Sequence, residues 1–393
     1  MRGSLKQRYA GSWSIILDLG YEPNPETGKL RRKQKWHTFR GTKKDAEDKL
    51  TDLLKAAKDG SYVDASKITL GEWLTEWFNA SKSRFRPSTR TRFEGIITKA
   101  IQMAPIAKVL LQKLRPTHLE QYYASATVSA STLMLHHAIL HQALRKAMKD
   151  RLISSNPAAD LDHRPRRTSE KVSEDARKHA WTAIEARDFL AAAKAAGPQA
   201  AAFYGLALDS GARKGELCGL TWANLDLDAG KMRIVQQLLT PGADPTFGPT
   251  KTGRPRTVAM AAETVELLRA HRKHQRELMM ANRTTYHDLG LVFAKEWSDL
   301  QRKGETLGHP LQINNLGQRE YAKLIKSAGV RAIKFHGLRH TCATLLLQAG
   351  QPVHVVSERL GHSKVSMTME VYAHVLPDLQ RDAAAALGVL LHG

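Results

Sequence analysis

The chain has 393 residues, with 60 Lys and Arg against 38 Asp and Glu, a formal charge of +22. That length allows two or three domains with real cores, and the charge calls for a polyanionic partner such as nucleic acid. No apolar run approaches the ~18 to 20 residues that cross a bilayer, no secretory core opens the chain, and two cysteines, Cys218 and Cys342, make neither a disulfide framework nor a thiolate zinc cluster. The expectation is a cytoplasmic, nucleoid-associated protein with no membrane partner.

Taken in chain order, Ser12 to Leu19 alternates Trp13, Ile15 and Leu17, and Leu30 to Arg40 carries Trp36, Thr38 and Phe39, so both read as strands. The link Glu22 to Gly28, with Pro23 and Pro25, reads as a turn. Between Thr27 and Lys44 stand eight basic residues, Lys29, Arg31, Arg32, Lys33, Lys35, Arg40, Lys43 and Lys44, with no acid among them. Interleaved with Trp36 and Phe39, they point to DNA. Thr42 caps a helix over Lys43 to Lys58 whose Ala46, Leu50, Leu53, Leu54 and Ala57 repeat at helical spacing and cover one face of the strands.

Thr69-Leu-Gly-Glu72 is a capping box opening a helix with Trp73, Leu74, Trp77 and Phe78. Helical pattern continues to about Ala159, divided by Pro87, Pro105 and Pro116. A longer helix starts at Ser129 or Ser131 and closes at Asn156-Pro157. His163 to Lys178 loses apolar periodicity and gains Arg164, Arg166, Arg167, Lys171, Arg177 and Lys178, the pattern of an exposed basic linker able to lie along a phosphate backbone.

Thr182-Ala-Ile-Glu185 opens the third region. Helices are expected to Ser210, over Lys214 to Leu220, Ala262 to Met280, Asn315 to Ala328, Gly337 to Ala349, Val353 to Leu360 and Ser366 to His374, with a β region over Met232 to Val258. The fold class is mainly α, α+β overall: a small β-sheet plus helix module at 1–62, an all-α module at 66–162, a linker at 163–178, and a mostly α domain with a small antiparallel sheet at 179–393.

Several residues here are of types suited to phosphoryl transfer. Arg213 follows Asp209-Ser210-Gly211-Ala212, where a guanidinium can reach into a cleft as a bidentate phosphate partner. Lys251 sits in Pro249-Thr250-Lys251-Thr252-Gly253-Arg254, a turn tip from which an ammonium can donate a proton. His336-Gly-Leu-Arg339 puts imidazole and guanidinium one helical turn apart. Leu360-Gly361-His362 closes a helix, and Tyr372 lies ten residues on. His336 and His340, with His362, also have the types of a metal trio; that reading is set aside because position 337 is not a glutamate and Arg339 would oppose a cation.

In this order Arg213, Lys251, His336-x-x-Arg339, Leu-Gly-His362 and Tyr372 resemble the boxes of the tyrosine recombinases, or phage integrases, as do Ser210-Gly-Ala-Arg-Lys-Gly-Glu-Leu217 and His336-Gly-Leu-Arg-His-Thr341. The flanking modules resemble, in layout rather than motif, the arm-site and core-site DNA-binding domains of the larger integrases. The resemblance implies that Tyr372 attacks a scissile phosphate to give a 3′-phosphotyrosyl bond and a free 5′-hydroxyl, conserving bond energy without ATP. Arg213 and Arg339 would stabilise the transition state, so no metal or other cofactor is expected; Lys251 would protonate the leaving oxygen, His336 assist proton transfer with Tyr372, His362 hydrogen-bond the phosphate, and Glu216 orient Arg213.

Lys29, Arg31, Arg32, Lys33, Lys35, Arg164, Arg166 and Arg167 are the expected DNA-binding cations. The implied partners are double-stranded DNA at core and arm sites, three further copies in a tetramer on a Holliday junction, a DNA-bending protein and a directionality factor. The alternatives are a chromosome-dimer resolvase, which usually lacks the strand module, a type IB topoisomerase, and a DNA-binding regulator that kept the fold without catalysis. The tail, with Leu387, Val389, Leu390 and Leu391, either folds on its own domain or docks on a neighbouring subunit.

Overall fold

The computed structural model describes residues 2–23, 28–59, 62–165, 178–242, 244–296, 307–313, 319–372 and 379–392. The chain divides into two compact units, Met1–Arg167 and Thr168–Gly393.

The first unit opens with a three-stranded antiparallel sheet in the order β1 (Arg2–Tyr9), β2 (Ser12–Pro23), β3 (Leu30–Arg40). The sequence pattern shows β2 and β3 but not β1, whose RGSLKQRY carries few apolar residues for alternation to register. As an edge strand it is mostly exposed. Ile15 and Leu17 of β2 are fully buried, on the face covered by α1 (Lys43–Lys58). Thr42 caps α1 in a reciprocal box with Asp45.

The helical module follows with α2 (Leu70–Ser81), α3 (Pro87–Ile96), α4 (Pro116–Ser125) and α5 (Ala130–Lys149). Pro87 and Pro116 stand at the first turn of α3 and α4, where a missing N–H costs nothing, so they start helices as well as separating them. Ser129 is the cap of α5. This helix ends at Lys149, earlier than the Asn156-Pro157 signal, because Arg151 turns left-handed (φ 58°). Asn156 instead pins the following turn, donating to His141 O at 3.2 Å and accepting from the Ala158 N–H at 3.0 Å. Trp73, Leu74, Trp77, Phe93, Leu140 and Leu144 form the core, and Trp73 Nε1 donates to Ala143 O at 2.9 Å.

In the second unit, α6 (Ala183–Ala195) carries the Thr182/Glu185 capping box. α7 (Pro198–Ser210) is buried along nearly its whole length and forms the domain's axis. α8 is the short turn Lys214–Cys218. Strands β4 (Leu225–Asp226), β5 (Lys231–Ile234) and β8 (Arg256–Ala259) make one antiparallel sheet, and β6 (Gln236–Thr240) pairs with β7 (Thr246–Pro249) in another. Then come α9 (Ala262–Ala281), α10 (Tyr321–Ala328), α11 (His336–Gln348), α12 (Val353–Leu360), α13 (Val365–Tyr372) and α14 (Leu379–His392). The aromatic core joins Trp181, Phe189, Phe203, Tyr204, Phe293, Tyr321 and Phe335.

A smaller cluster, Ala343, Leu347, Val356, Leu360 and Tyr372, packs α11, α12 and α13 together. Both cysteines are buried, and burial pushes the Cys218 thiol up to about 12 and the Cys342 thiol up to about 11. Cys342 Sγ donates to Asp209 O at 3.2 Å. On α14, Leu387, Val389, Leu390 and Leu391 are exposed, Leu390 by 82%, so those four side chains do not fold onto their own domain. Among the described residues no helix is long and apolar enough to cross a membrane.

Candidate active site

Helix α7 stops at Ser210 because Gly211 turns left-handed (φ 61°). A Cβ there would lie 2.5 Å from Leu360, so the turn needs glycine twice over, for conformation and for room. Arg213 emerges as the cap of α8. Its N–H donates to Glu216 Oε2 at 3.0 Å and its Nη1 to Glu216 Oε1 at 2.8 Å. Glu216 is only 1% exposed and is shared by a second guanidinium. Arg256 donates to it through Nη1 at 3.2 Å and Nη2 at 2.6 Å. Burial alone would raise the carboxyl; the hydrogen bonds and charge of Arg256, then those of Arg213, outweigh it and hold the group below its ordinary value.

Arg256 also donates from Nε to Arg359 O at 3.0 Å, tying β8 to the last turn of α12. No spacing signal singles it out: in the sequence it is one of two basic residues close behind Lys251, and only the pairing of Arg256 with Ile234 across β5 and β8 aims it inward. Arg359 in turn holds Asp209, with Nη2 2.6 Å from Oδ1, joining α12 to the end of α7. This pair is likewise invisible to motif reading.

Arg339 is 3% exposed, on the first turn of α11. Its Nη1 donates to Gly211 O at 2.8 Å, while its Nη2 is buried and has no hydrogen-bond partner among the described residues. A buried guanidinium N–H left unpaired is costly, and its presence between other cations is the condition of a donor kept for an anion. Burial, then Arg213 and Arg256, lowers the guanidinium to about 10, with Glu216 opposing.

Lys251 stands exposed on the turn Thr250 to Gly253, closed by the Gly253 N–H to Thr250 O at 2.9 Å. Its charge bears on His336. The histidine keeps some surface in solvent, yet desolvation of its imidazole, then Arg339, Arg213 and Lys251, push it down to about 4. His362 follows the left-handed Gly361 (φ 68°) that ends α12, and its Nδ1 is 2.7 Å from Thr368 Oγ1. It too is lowered to about 4, by burial and then by Arg339, Arg213, His336 and His340. Beside it lies a groove of about 640 Å³ lined by Arg233, Arg254, Arg256 and His362.

Tyr372 closes α13, 2% exposed. Its hydroxyl lies 2.7 Å from His340 Nδ1. Burial raises the phenol, and Arg339 partly offsets this. The sequence presents His340 only as the i+4 companion of His336, and among the described residues no group of three or more His, Cys, Asp or Glu is placed to hold a metal ion.

The basic strand residues divide between two faces. Arg32 is on the open face and pairs with Asp18 at 2.5 Å. Lys33 and Lys35 are half-buried on the side of α1, Lys35 reaching Asp64 at 2.8 Å. Lys29 and Arg31 are exposed. Arg164 donates to Ala159 O at 2.5 Å, and Arg166 and Arg167 lie outside the described residues.

Arg213, Arg339, His336 and His362, with Lys251 near them, gather around a donor that has no partner among the described residues, and Tyr372 stands buried on α13. The sequence matches the phage integrase family over residues 181–378 and the N-terminal SAM-like domain of phage integrases over 69–125. The chain belongs to the phage integrase family, the tyrosine recombinases, and is an enzyme of DNA strand transfer.

It is 28% identical over 397 residues to a "Tyrosine recombinase XerC-like" protein of Caldanaerobacter subterraneus subsp. tengcongensis, covering 96% of each chain. The fold is similar to that of the Tn1549 transposon integrase in complex with a circular intermediate DNA, with a TM-score of 0.62 and 19% identity, over 81% of this chain and 99% of that one. It is also similar to lambda integrase in a tetramer bound to a Holliday junction, with a TM-score of 0.55 and 17% identity, over 93% and 94%.

Proposed function

We propose that this integrase cuts and rejoins DNA through Tyr372, within a site made of Arg213, Lys251, His336, Arg339 and His362. The observation that carries the proposal is the Nη2 of Arg339, which has no hydrogen-bond partner among the described residues and is buried in a cluster of cations, the Arg339 charge bearing on the Tyr372 phenol. A phosphodiester there would satisfy that donor and neutralise the cluster. Arg213 and Arg339 stabilise the added charge of the pentavalent transition state. Glu216 and Arg256 hold Arg213 in place. His362, steadied by Thr368, hydrogen-bonds the phosphate, His336 assists proton movement, and Lys251 protonates the departing 5′-oxygen. The phenol is a better leaving group than an alcohol, so the 3′-phosphotyrosyl bond remains ready for attack by the partner strand's 5′-hydroxyl.

The division of labour is 1–62 for distal arm sites, 66–162 for the core site, 163–178 as a basic linker and 179–393 for catalysis. The working form is a tetramer on a Holliday junction, acting on the DNA of a phage or mobile element in a bacterial cell. A DNA-bending protein and a directionality factor complete the partners. What supports this is the likeness in fold to lambda integrase, whose tetramer binds such a junction. The test is a nicked suicide substrate from the element's own attachment region. A covalent protein–DNA adduct is expected, its yield unchanged by chelators; adduct from Tyr372→Phe would overturn the nucleophile.

A further inference from the structure

One imidazole of the cluster has no task in that scheme. His340 lies one helical turn after His336, the two rings perpendicular with centroids 5.1 Å apart. Its Nδ1 is 2.7 Å from Tyr372 Oη, and among the described residues it is the hydroxyl's one hydrogen-bond partner. The contact is partly shielded from solvent: Tyr372 is 2% exposed and His340 half-buried. Only the α11–α13 packing, through Ala343 and Leu347, creates it. A hydrogen bond from a nucleophile to a neighbouring acceptor is the arrangement that activates weak oxygen nucleophiles elsewhere.

We propose that His340 is the base that takes the Tyr372 proton during cleavage and returns it during rejoining, a proposal that rests on Tyr372 being the nucleophile. His336, one turn earlier on the same helix, then assists a transfer whose acceptor is His340.

The pair is neutral in the DNA-free protein. Burial raises the phenol, while burial, then His336, Arg339 and His179, pushes His340 down to about 4. In the tautomer with the ring proton on Nε2 the phenol donates and Nδ1 accepts, the proton staying on oxygen. A phosphodiester anion against Arg339 cancels part of the positive field and makes His340 a stronger base, so activation waits for substrate. As the Oη–P bond forms, the phenolic proton passes to Nδ1; the P–O5′ bond breaks and O5′ takes a proton from Lys251. In the reverse step a 5′-hydroxyl attacks phosphorus and gives its proton to the Lys251 amine. The departing Tyr372 oxygen recovers its proton from His340. Atoms and charges balance with no further reactant.

The test compares single-turnover adduct formation by the full chain with His340→Asn and His340→Ala, each checked for DNA binding and melting temperature. The asparagine amide oxygen can accept near the Nδ1 position but cannot carry a proton. A base role predicts that both variants slow by about 10²- to 10⁴-fold at neutral pH and recover as pH rises and the phenol ionises unaided. The charged and titratable groups that bear on His340 are His336 and Arg339 on α11, His179 ahead of α6, His362 after α12 and Tyr372 on α13.

A substrate with sulfur at the bridging 5′ position needs no leaving-group acid. It should rescue Lys251→Ala and leave the His340 variants slow. Wild-type rates in His340→Asn would reduce the residue to positioning and overturn the proposal. So would rescue of the His340 variants by the sulfur substrate. Should His340→Asn fail to fold, His340→Ala with added free imidazole, which can occupy the space the ring leaves, decides in its place: rescue supports the base, and an unchanged rate removes it. Adduct from Tyr372→Phe would overturn the nucleophile assignment instead.

Discussion

Glu216 is the residue on which the cation cluster balances. One buried carboxylate compensates Arg213 and Arg256, and a buried pair stripped of one partner leaves an uncompensated charge costing about 3–5 kcal/mol. Glu216→Gln should therefore lower the unfolding free energy by an amount of that order in chemical denaturation. Arg256→Ala should reduce adduct formation at saturating DNA although Arg256 belongs to no recognised box. His336, His340 and His362 are all held near 4, below the ordinary imidazole range. For such groups the unfolded chain binds protons more readily between about pH 6.5 and 4, so their contribution to stability is complete above that window and is lost as pH falls through it. The melting temperature of the DNA-free protein should drop across this interval. Phosphate binding raises the same groups, so calorimetry in buffers of different ionisation enthalpy should record proton uptake when cognate DNA binds near pH 6.

Among the elements, the seam between α7 and α12 depends on two left-handed glycines. A Cβ on Gly361 would sit 2.9 Å from the Arg256 guanidinium, and the left-handed conformation itself costs a non-glycine residue about 1–2 kcal/mol. Gly361→Ala should lose about that much stability and also shift Arg256 and His362, so single-turnover cleavage should fall while core-site binding holds. Much of this layer is legible in the sequence. The capping boxes at Thr42, Thr69 and Thr182 fix helix starts because they are local chemistry, and α12 matches its pattern residue for residue. β1 escapes because an exposed edge strand carries little periodicity, and the end of α5 is displaced by one left-handed residue. The ordered boxes bring Arg213, His336, Arg339 and His362 to one cleft, but Arg256 and the His340–Tyr372 contact depend on strand register and on packing between helices distant in sequence. No local pattern encodes either.

At the scale of the whole molecule, the charge of +22 divides among several surfaces. On the proposed function most of it serves phosphate positioning, and binding of core DNA should weaken steeply with salt, log K falling linearly with log salt. Deleting residues 1–62 should abolish footprints at distal arm sites and spare core-site cleavage; equal loss of both would refute separate roles. The exposed Leu387, Val389, Leu390 and Leu391 form an apolar stripe on α14 that solvent does not favour. Truncation after Leu376 should therefore impair synaptic complex formation on native gels more than DNA binding by a single subunit.

The two buried thiols offer a clock. With both groups held far from the thiolate form and shielded from solvent, an alkylating reagent should modify the native protein only through transient opening. Cys342 is wedged against Asp209 O, the residue Arg359 grips from α12, so its alkylation rate times the breathing of the catalytic seam itself. Mass spectrometry of that one cysteine, with and without a core-site duplex, would measure how far substrate tightens the domain.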